Sequence, residues 1–268
     1  WNGAPGGAWN TVDTTWLDGA SSVAWNSAAP DTATFGATGV GTITLGAGIT
    51  ADMLTFNTAG YTLAGGSLAM TTSDITTNAD ASISSVITGA NGLGKLGVGN
   101  LTLTGVNTYT GTTDILEGTL TLGNGTIQPT VQSTYVISSG ATLKLQYNTV
   151  TGSTAQTWTK YTGSGKLIFA TGKTNDATFG EAALSTGFTG TLRIEGGRIS
   201  TPSTGTLGLG GTTAVEVAAG GHLGMWNGGT FTMPFKIAGT GYGEAGYEAA
   251  LRLSNGSNTI LTNTVTMT

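Results

Sequence analysis

Acidic and basic side chains are the groups in this sequence that could do chemistry, and they are few. The 268 residues include 14 Asp and Glu, 9 Lys and Arg, one His and no Cys. Arg193, Glu195 and Arg198 lie close together, and Glu244 and Glu248 are four residues apart. Enzymes that cleave polysaccharides use carboxylates to protonate a leaving oxygen or to remove a proton from a sugar carbon. These five residues are therefore a candidate glycan patch.

The pattern around Arg193 and Glu195 also fits a simpler role. Both alternate with the apolar Leu192 and Ile194, so a strand would carry the two charges on its solvated face. An ion pair in that setting contributes less than about 1 kcal/mol and requires no substrate. His222 is the single His and Cys is absent, which excludes metal sites built on several His or thiolate ligands. We therefore predict no catalytic residue, no metal and no cofactor.

Tryptophan is concentrated at the start of the chain. Four of the six Trp residues are Trp1, Trp9, Trp16 and Trp25, with spacings of eight, seven and nine residues that do not fit one strand face. One interpretation is a platform on which sugar rings stack. The interpretation we favour is a cap over the first rung of the fold, whose apolar core and backbone edge would otherwise face water.

Most of the chain alternates apolar and polar residues over four or five positions and then reaches Gly or Asn. Examples are Gly41–Gly46 (GTITLG), Asn100–Gly105 (NLTLTG) and Gly118–Gly123 (GTLTLG). A period of two predicts short strands with one buried and one solvated face, so the fold class is all-β. Very short strands with Gly-rich connections favour a solenoid, in which the chain coils and equivalent residues stack.

An internal duplication supports the solenoid. Asn107–Leu120 aligns with Thr186–Ile199, with an aromatic residue, Thr-Gly, an Ile and a closing aliphatic residue at the same spacing. With about twenty residues in each rung and about 4.8 Å between rungs, we predict a single-stranded parallel β-helix (a β-solenoid) of roughly a dozen rungs. Residues 1–40 are predicted to form the Trp-rich cap region, continuous with a β-helix of residues 41–268 in one elongated domain.

Pairs of Thr residues separated by one position raise the question of ice binding. Ice-binding solenoids present such pairs in a flat array that is regular from rung to rung. The pairs Thr42/Thr44, Thr102/Thr104 and Thr119/Thr121 recur at uneven intervals in this chain. We therefore interpret them as ordinary strand composition, since outward-facing β-branched residues suit a pleated surface.

Two segments carry a family resemblance. Gly92–Leu120, with its NTYTG core at Asn107–Gly111, resembles the passenger-associated transport repeat of autotransporter-type bacterial surface proteins. The start of the chain is similar to the beginning of such passenger regions, where spaced Trp residues precede runs like Leu54–Phe56 (LTF) and Gly60–Leu63 (GYTL). The resemblance implies that the β-helix is right-handed and is exported to the bacterial cell surface.

Composition excludes several partners. Charged residues are 9% of the chain, the formal net charge is −5 and the isoelectric point is about 4.6, which argues against binding to nucleic acid or anionic lipid. The longest apolar runs fall short of the roughly 18 residues of a membrane span, so this segment is not membrane-embedded. A Thr-, Asn- and Gly-rich surface with little charge and no disulfide is typical of secreted bacterial surface material.

The last residues, Asn258–Thr268, form another strand pattern without a polar cap. Either the chain continues beyond Thr268, or Val265 and Met267 dock on the Trp-rich start of another copy and build a filament. We predict a non-enzymatic extracellular module: a rigid structural or adhesive rod whose partners are other copies of itself or a surface glycan. The alternative is a lectin, lyase or glycosidase, which would need clustered carboxylates and exposed aromatic rings along one side of the rod.

Overall fold

The structure is a computed structural model that describes residues 1–124, 134–146, 161–170, 176–178, 184–200, 214–225, 229–241, 249–253 and 259–268. Strands and turns make up all of this described part, and no helix that could cross a bilayer is found in it. Contacts divide the chain into two compact units, one of residues 1–123 and one of the described residues from 134 onward.

The first unit contains short strands of two to four residues. They are β1 (Ala8–Trp9), β2 (Trp16–Asp18), β3 (Ser21–Val23), β4 (Ala33–Phe35), β5 (Thr42–Leu45), β6 (Ile49–Ala51), β7 (Leu54–Phe56), β8 (Tyr61–Ala64), β9 (Ser67–Met70), β10 (Asp74–Thr77), β11 (Ala81–Ile83), β12 (Val86–Thr88), β13 (Leu93–Leu96), β14 (Asn100–Leu103), β15 (Thr113–Ile115) and β16 (Thr119–Leu122).

These strands pair in parallel into three sheets. Sheet I contains β4, β7, β10, β13 and β15; sheet II contains β1, β5, β8, β11, β14 and β16; sheet III contains β6, β9 and β12. One turn of the solenoid, called a coil here, takes one strand from each sheet in order. Coils 1 to 5 begin with β4, β7, β10, β13 and β15. The one antiparallel pair in this unit is the β2–β3 hairpin.

The alternating pattern explains why the coils stack. Leu54, Ile75, Lys95 and Ile115 occupy one inward position of sheet I, in register and 20 or 21 residues apart. Sheet II has an equivalent inward column whose members are all buried: Ile43, Leu63, Ile83, Leu103 and Leu122. Each fully buried aliphatic side chain contributes about 1.5–3 kcal/mol, and a slip of one residue would move a whole column to the surface.

Glycine is required where successive turns lie against each other. Gly97 has φ +76° and Gly118 has φ +61°, a region that favours Gly. A Cβ on Gly97 would lie 2.5 Å from the carbonyl oxygen of Thr77, and one on Gly118 would lie 2.5 Å from that of Gly97. The turns after β10, β13 and β15 therefore stack so closely that a side chain has no room.

The second unit has a similar set of short strands and one long strand. They are β17 (Tyr135–Ile137), β18 (Thr142–Leu145), β19 (Tyr161–Gly163), β20 (Lys166–Ala170), β21 (Asp176–Thr178), β22 (Leu184–Phe188), β23 (Thr191–Ser200), β24 (Ala214–Val217), β25 (Gly221–Met225), β26 (Gly229–Phe231), β27 (Phe235–Ile237), β28 (Leu251–Leu253), β29 (Thr259–Leu261) and β30 (Val265–Met267).

Parallel pairing also organises this unit. One sheet runs β17–β19–β22 and another runs β18–β20–β23–β24–β27–β30. The first half of β23 pairs with β20 and β24, and its second half pairs with β21 and β25 after a register shift opposite Ala170. The prediction of an all-β fold built as a parallel β-solenoid is confirmed.

Candidate binding surface

The four N-terminal Trp side chains form one buried cluster. Trp9, Trp16, Trp25 and Trp1 are 0 to 9% exposed, and the ring of Trp16 lies 4.7–5.3 Å from the other three rings. Trp9 and Trp16 also contact Phe35 of coil 1, at 5.9 and 5.6 Å between centroids. Rings packed in this way extend the apolar core and leave little exposed area on which a sugar could stack.

A cavity of about 390 Å³ lies beside this cluster. Its lining includes Trp1, Trp16 and Trp25, together with the polar residues Asp18, Asn26, Asp31, Thr32 and Thr34. The indole nitrogens of Trp1 and Trp16 have no hydrogen-bond partner and are themselves buried. They therefore have no exposed surface from which to donate into the cavity, and its polar lining comes from the Asp, Asn and Thr residues.

A row of hydroxyl groups follows the outward positions of sheet II, one in each coil; the first four residues are exposed or half-buried, and the last is buried. We call this row the hydroxyl ladder; its members are in register and are Thr42, Thr62, Ser82, Thr102 and Thr121. Successive members are 20, 20, 20 and 19 residues apart, and stacked strands are about 4.8 Å apart. The Thr pairs themselves recur unevenly, since Thr44 lies in register with Ala64, but Thr62 and Ser82 complete a regular single column that a search for paired Thr residues misses.

The ladder borders a shallow groove of about 290 Å³. We call this depression the ladder groove; the polar side chains lining it are those of Thr62, Asp80, Ser82, Asn100 and Thr102. No hydrogen-bond partner is found in the described part of the chain for the hydroxyls of Thr62 and Ser82. Both are half-buried, so they face solvent with a restricted set of orientations.

Neighbouring coils hold the other polar groups of the groove in place. Asp80 Oδ1 accepts a hydrogen bond from the backbone N–H of Asn100 at 2.8 Å. The side-chain amide of Asn100 donates to Thr102 Oγ1 at 3.0 Å, and Thr121 Oγ1 donates to Asn100 Oδ1 at 2.8 Å. The groove therefore presents fixed donors and acceptors whose ordering cost was met during folding.

The structure brings two residues of the predicted glycan patch together with three further charges in the second unit. Arg193 Nε lies 2.9 Å from Glu195 Oε1, and an Arg193 guanidinium nitrogen lies 3.1 Å from Glu216 Oε2. Lys144 Nζ lies 3.0 Å from Glu195 and Lys236 Nζ lies 3.9 Å from Glu216. These five residues are the charged ladder, and both of its carboxylates have cationic partners.

Electrostatics within the charged ladder favour the ionised forms. Partial burial disfavours the charge of Glu195, but hydrogen bonds from Lys144 and Arg193 outweigh it and hold the pKa of Glu195 below its usual value. The hydrogen bond to Glu195 raises the pKa of Arg193. A carboxylate held in this way is a poor proton donor, which suits a structural ion-pair network.

The remaining predicted patch residues lie elsewhere. Arg198 is in the second half of β23, in register with Asp176 and His222, beyond the register shift that separates it from Arg193. Glu244 and Glu248 lie outside the described residues. Among the described side chains, no group of three or more His, Asp or Glu is arranged to hold a metal ion.

The two predicted docking residues near the end of the chain lie in β30. Val265 and Met267 pair in register with Phe235 and Ile237 of β27 and are 40% and 71% exposed. Their strand is the last in its sheet order, so no further strand of the described chain covers them.

A buried lysine in coil 4 was not expected from the sequence. Lys95 occupies an inward position between Ile75 and Ile115, and no part of its side chain is exposed. Its ammonium donates to the backbone carbonyl oxygens of Leu96, Gly97 and Glu117 at 2.9, 2.7 and 3.1 Å. Burial lowers the pKa of Lys95 to about 8. The signal was present, since Lys95 is two positions after the inward Leu93 in a period-two segment.

The NTYTG segment replaces a third strand in coil 4. Asn107 Oδ1 accepts a hydrogen bond from the backbone N–H of Ile87, in β12 of the coil below, at 2.9 Å. Thr108 and Tyr109 donate their backbone N–H groups to the carbonyl oxygen of Ile87. The hydroxyls of Tyr109 and Thr113 are 2.9 Å apart in the interior. This segment therefore supplies hydrogen-bond partners to the backbone of β12, the last strand of sheet III.

Comparisons with known proteins agree with this architecture. Residues 93–122, which span β13 to β16, match the family model described as passenger-associated-transport-repeat. Over 208 residues, or 68% of the chain, the sequence is 37% identical to a Brucella suis protein named adhesin BmaC autotransporter. The chain spans 6% of the length of that relative. No solved structure matches the chain.

The repeat match covers the coils that contain Lys95 and the NTYTG segment, and the longer alignment reaches well beyond them. Both comparisons agree with the resemblance seen in the sequence. The chain is therefore an autotransporter-type passenger, a β-solenoid that is exported and displayed at the bacterial cell surface.

Proposed function

We propose that this protein is a non-enzymatic adhesive module, in which the solenoid is a stiff scaffold and its outer face binds another surface. The observation that carries the proposal is the regular, weakly charged row of hydroxyls on sheet II, a surface suited to many weak polar contacts. The Brucella relative is named an adhesin, and this chain corresponds to a small part of it.

Stiffness follows from the way the coils are joined. Inward aliphatic columns stack coil on coil, and backbone hydrogen bonds connect every pair of neighbouring strands in a sheet. Lys95 adds hydrogen bonds to carbonyl groups of coils 4 and 5, including that of Glu117. A scaffold of this kind holds its outer side chains at fixed spacing, which lets weak contacts add along its length.

A non-enzymatic role is supported by the chemistry of the described charges. The carboxylates of Glu195 and Glu216 are engaged with Lys144, Arg193 and Lys236. A general acid needs a carboxyl group whose pKa is raised toward neutrality, whereas the pKa of Glu195 is lowered. The charged ladder therefore fits a role in packing the outer face of its sheet.

Adhesion is tested with fluorescent beads that carry the purified chain, applied under flow to epithelial monolayers and to glycan-coated glass. We expect chain-coated beads to be retained several-fold more than albumin-coated beads, and free chain to compete with them. Retention of chain-coated beads equal to that of albumin-coated beads on every surface would contradict the adhesive role. Hydrolysis of a polysaccharide by the chain, seen as new reducing ends, would contradict the non-enzymatic part of the proposal.

End-to-end assembly through Val265 and Met267 stays a prediction. Their exposure is what any strand at the edge of a sheet shows, so it favours neither a filament nor a single molecule. Negative-stain electron microscopy over a concentration series decides between them. Uniform filaments would support assembly, and isolated particles at every concentration would contradict it.

A further inference from the structure

We propose that the ladder groove is a binding site for a linear, uncharged polysaccharide that runs along the hydroxyl ladder from coil to coil. This inference rests on the proposed adhesive function and names its ligand class. The site consists of the hydroxyls of Thr62, Ser82 and Thr102, with the side chains of Asp80 and Asn100 beside them.

Repetition of the groove matches a repeating ligand. Thr62, Ser82 and Thr102 are in register on β8, β11 and β14, so one hydroxyl is presented for each coil, about every 4.8 Å. That distance is close to the length of one pyranose ring. A glycan lying along the stack would therefore place each successive sugar over a new hydroxyl.

Preorganisation favours hydroxyl-rich ligands. Asp80 Oδ1 and both ends of the Asn100 amide are engaged within the groove, so these groups keep their positions when a ligand arrives. The hydroxyls of Thr62 and Ser82 retain both donor and acceptor capacity, and the second oxygen of Asp80 can accept. β-Branched Thr side chains also lose little rotamer freedom on binding.

Charge selects against polyanions. Asp80 is the single charged residue among those that line the groove, and the whole chain has a formal net charge of −5. A uronic-acid or sulfated polymer would place its anionic groups beside this carboxylate, and Lys95, the cation that interacts with Asp80, is buried and does not line the groove. A neutral glycan instead donates hydroxyl hydrogen bonds to the carboxylate, which are stronger than those between neutral groups.

The groove differs from an ice-binding face. The column beside the hydroxyl ladder places Thr44 in register with Ala64, so a second unbroken row of hydroxyls is absent from this part of sheet II. The depression also contains a carboxylate, whereas ice binding needs a flat array. These two features favour a polysaccharide over an ice surface.

Affinity is expected to grow with the length of the glycan. No aromatic ring stacks on the ligand in this groove, since the side chain of Tyr61 is buried, so each sugar gains only hydrogen bonds. A neutral hydrogen bond contributes little by itself, and several must be made together. A polymer should therefore bind far more tightly than its disaccharide.

The test measures binding of the purified chain to dextran, mannan and laminarin as neutral probes, and to polygalacturonate as the anionic probe, by affinity electrophoresis. We expect retardation by at least one neutral polymer and little by the anionic one. The variant Thr62→Val/Ser82→Ala/Thr102→Val should weaken the neutral interaction about tenfold or more. The matched control is Thr55→Val/Thr76→Val, which removes hydroxyls from the outer face of sheet I.

Several outcomes would overturn the inference. These are no binding to any neutral polymer, an equal loss of binding in the sheet I control, and thermal hysteresis in ice without polysaccharide binding.

The variant Asp80→Asn should keep binding of the neutral polymer within a few-fold and allow polygalacturonate to bind, because the amide oxygen still accepts from Asn100 while the negative charge is gone. Circular dichroism confirms that each variant remains folded. Bead retention that survives the triple substitution would reject the groove while leaving the adhesive role intact.

Discussion

Lys95 Nζ donates a hydrogen bond to the backbone carbonyl oxygen of Glu117 at 3.1 Å and so joins coil 4 to coil 5. The same ammonium also donates to the carbonyl oxygens of Leu96 and Gly97 within its own turn. These bonds offset part of the cost of burying a cation in an otherwise apolar column, and the lowered pKa of Lys95 reflects the rest. Lys95 and Glu117 both lie inside the matched repeat, and the hydrogen bond between them connects the turns of coils 4 and 5.

Replacing Lys95 by Met is expected to lower the free energy of unfolding by about 1–3 kcal/mol. Met keeps the apolar stem but removes the ammonium, which leaves three buried carbonyl oxygens without their donor. Urea denaturation followed by circular dichroism measures the change. The control is Lys236→Met, at a site where 62% of the side chain is exposed, which should stay within about 0.5 kcal/mol. Equal effects at the two sites would refute the bridging role of Lys95.

The titration of Lys95 gives a second prediction with a defined sign. Burial lowers the pKa of Lys95 from 10.5 to about 8, so between these values the unfolded chain binds the proton that the folded chain has lost. Stability contributed by this group should therefore rise as the pH increases from about 8 toward 10.5. This contribution is measured by comparing the urea midpoints of the natural chain and of Lys95→Met at pH 7.5 and at pH 9.5. A difference between the two chains that does not change with pH would contradict the assignment.

The period-two pattern predicted most of the inward columns, because alternation along a strand alone decides which side chains are buried. It could not predict which strands stack. Thr62 and Ser82 join Thr42 and Thr102 in one ladder only when the 20-residue coil is known, and the replacement of Thr by Ser hides the repeat.

The internal duplication shows the same limit. The alignment equates Tyr109 with Phe188, yet Tyr109 lies in the NTYTG segment of coil 4, between β14 and β15, whereas Phe188 is the last residue of β22. Both rings are buried, so residue type alone cannot tell a turn position from a strand position. Charged residues gave a similar ambiguity, because Lys95 satisfies turn carbonyls from an inward position that its type would normally exclude.

The Trp cluster should be a major source of stability in the first unit. Trp9 is fully buried, and its ring centroid lies 4.8 Å from that of Trp16 and 4.9 Å from that of Trp25. Trp9→Ala is expected to lower the free energy of unfolding by about 3–5 kcal/mol, since it leaves a cavity that the neighbouring rings cannot fill. The destabilisation is measured as a lower urea midpoint and as a smaller change in tryptophan fluorescence on unfolding. Val12→Ala, at a residue that is 79% exposed, is the control and should have little effect.

The close stacking of turns is tested by placing the same substitution at two Gly residues of similar backbone conformation. Gly118 and Gly48 have φ of +61° and +69°, so Ala costs about 1 kcal/mol at each for the backbone alone. A Cβ at Gly48 meets nothing within 4 Å, whereas one at Gly118 lies 2.5 Å from the carbonyl oxygen of Gly97. Gly118→Ala should therefore lower the free energy of unfolding by about 1–3 kcal/mol more than Gly48→Ala, because coils 4 and 5 must move apart. Equal urea midpoints for the two variants would show that the turns do not need this contact.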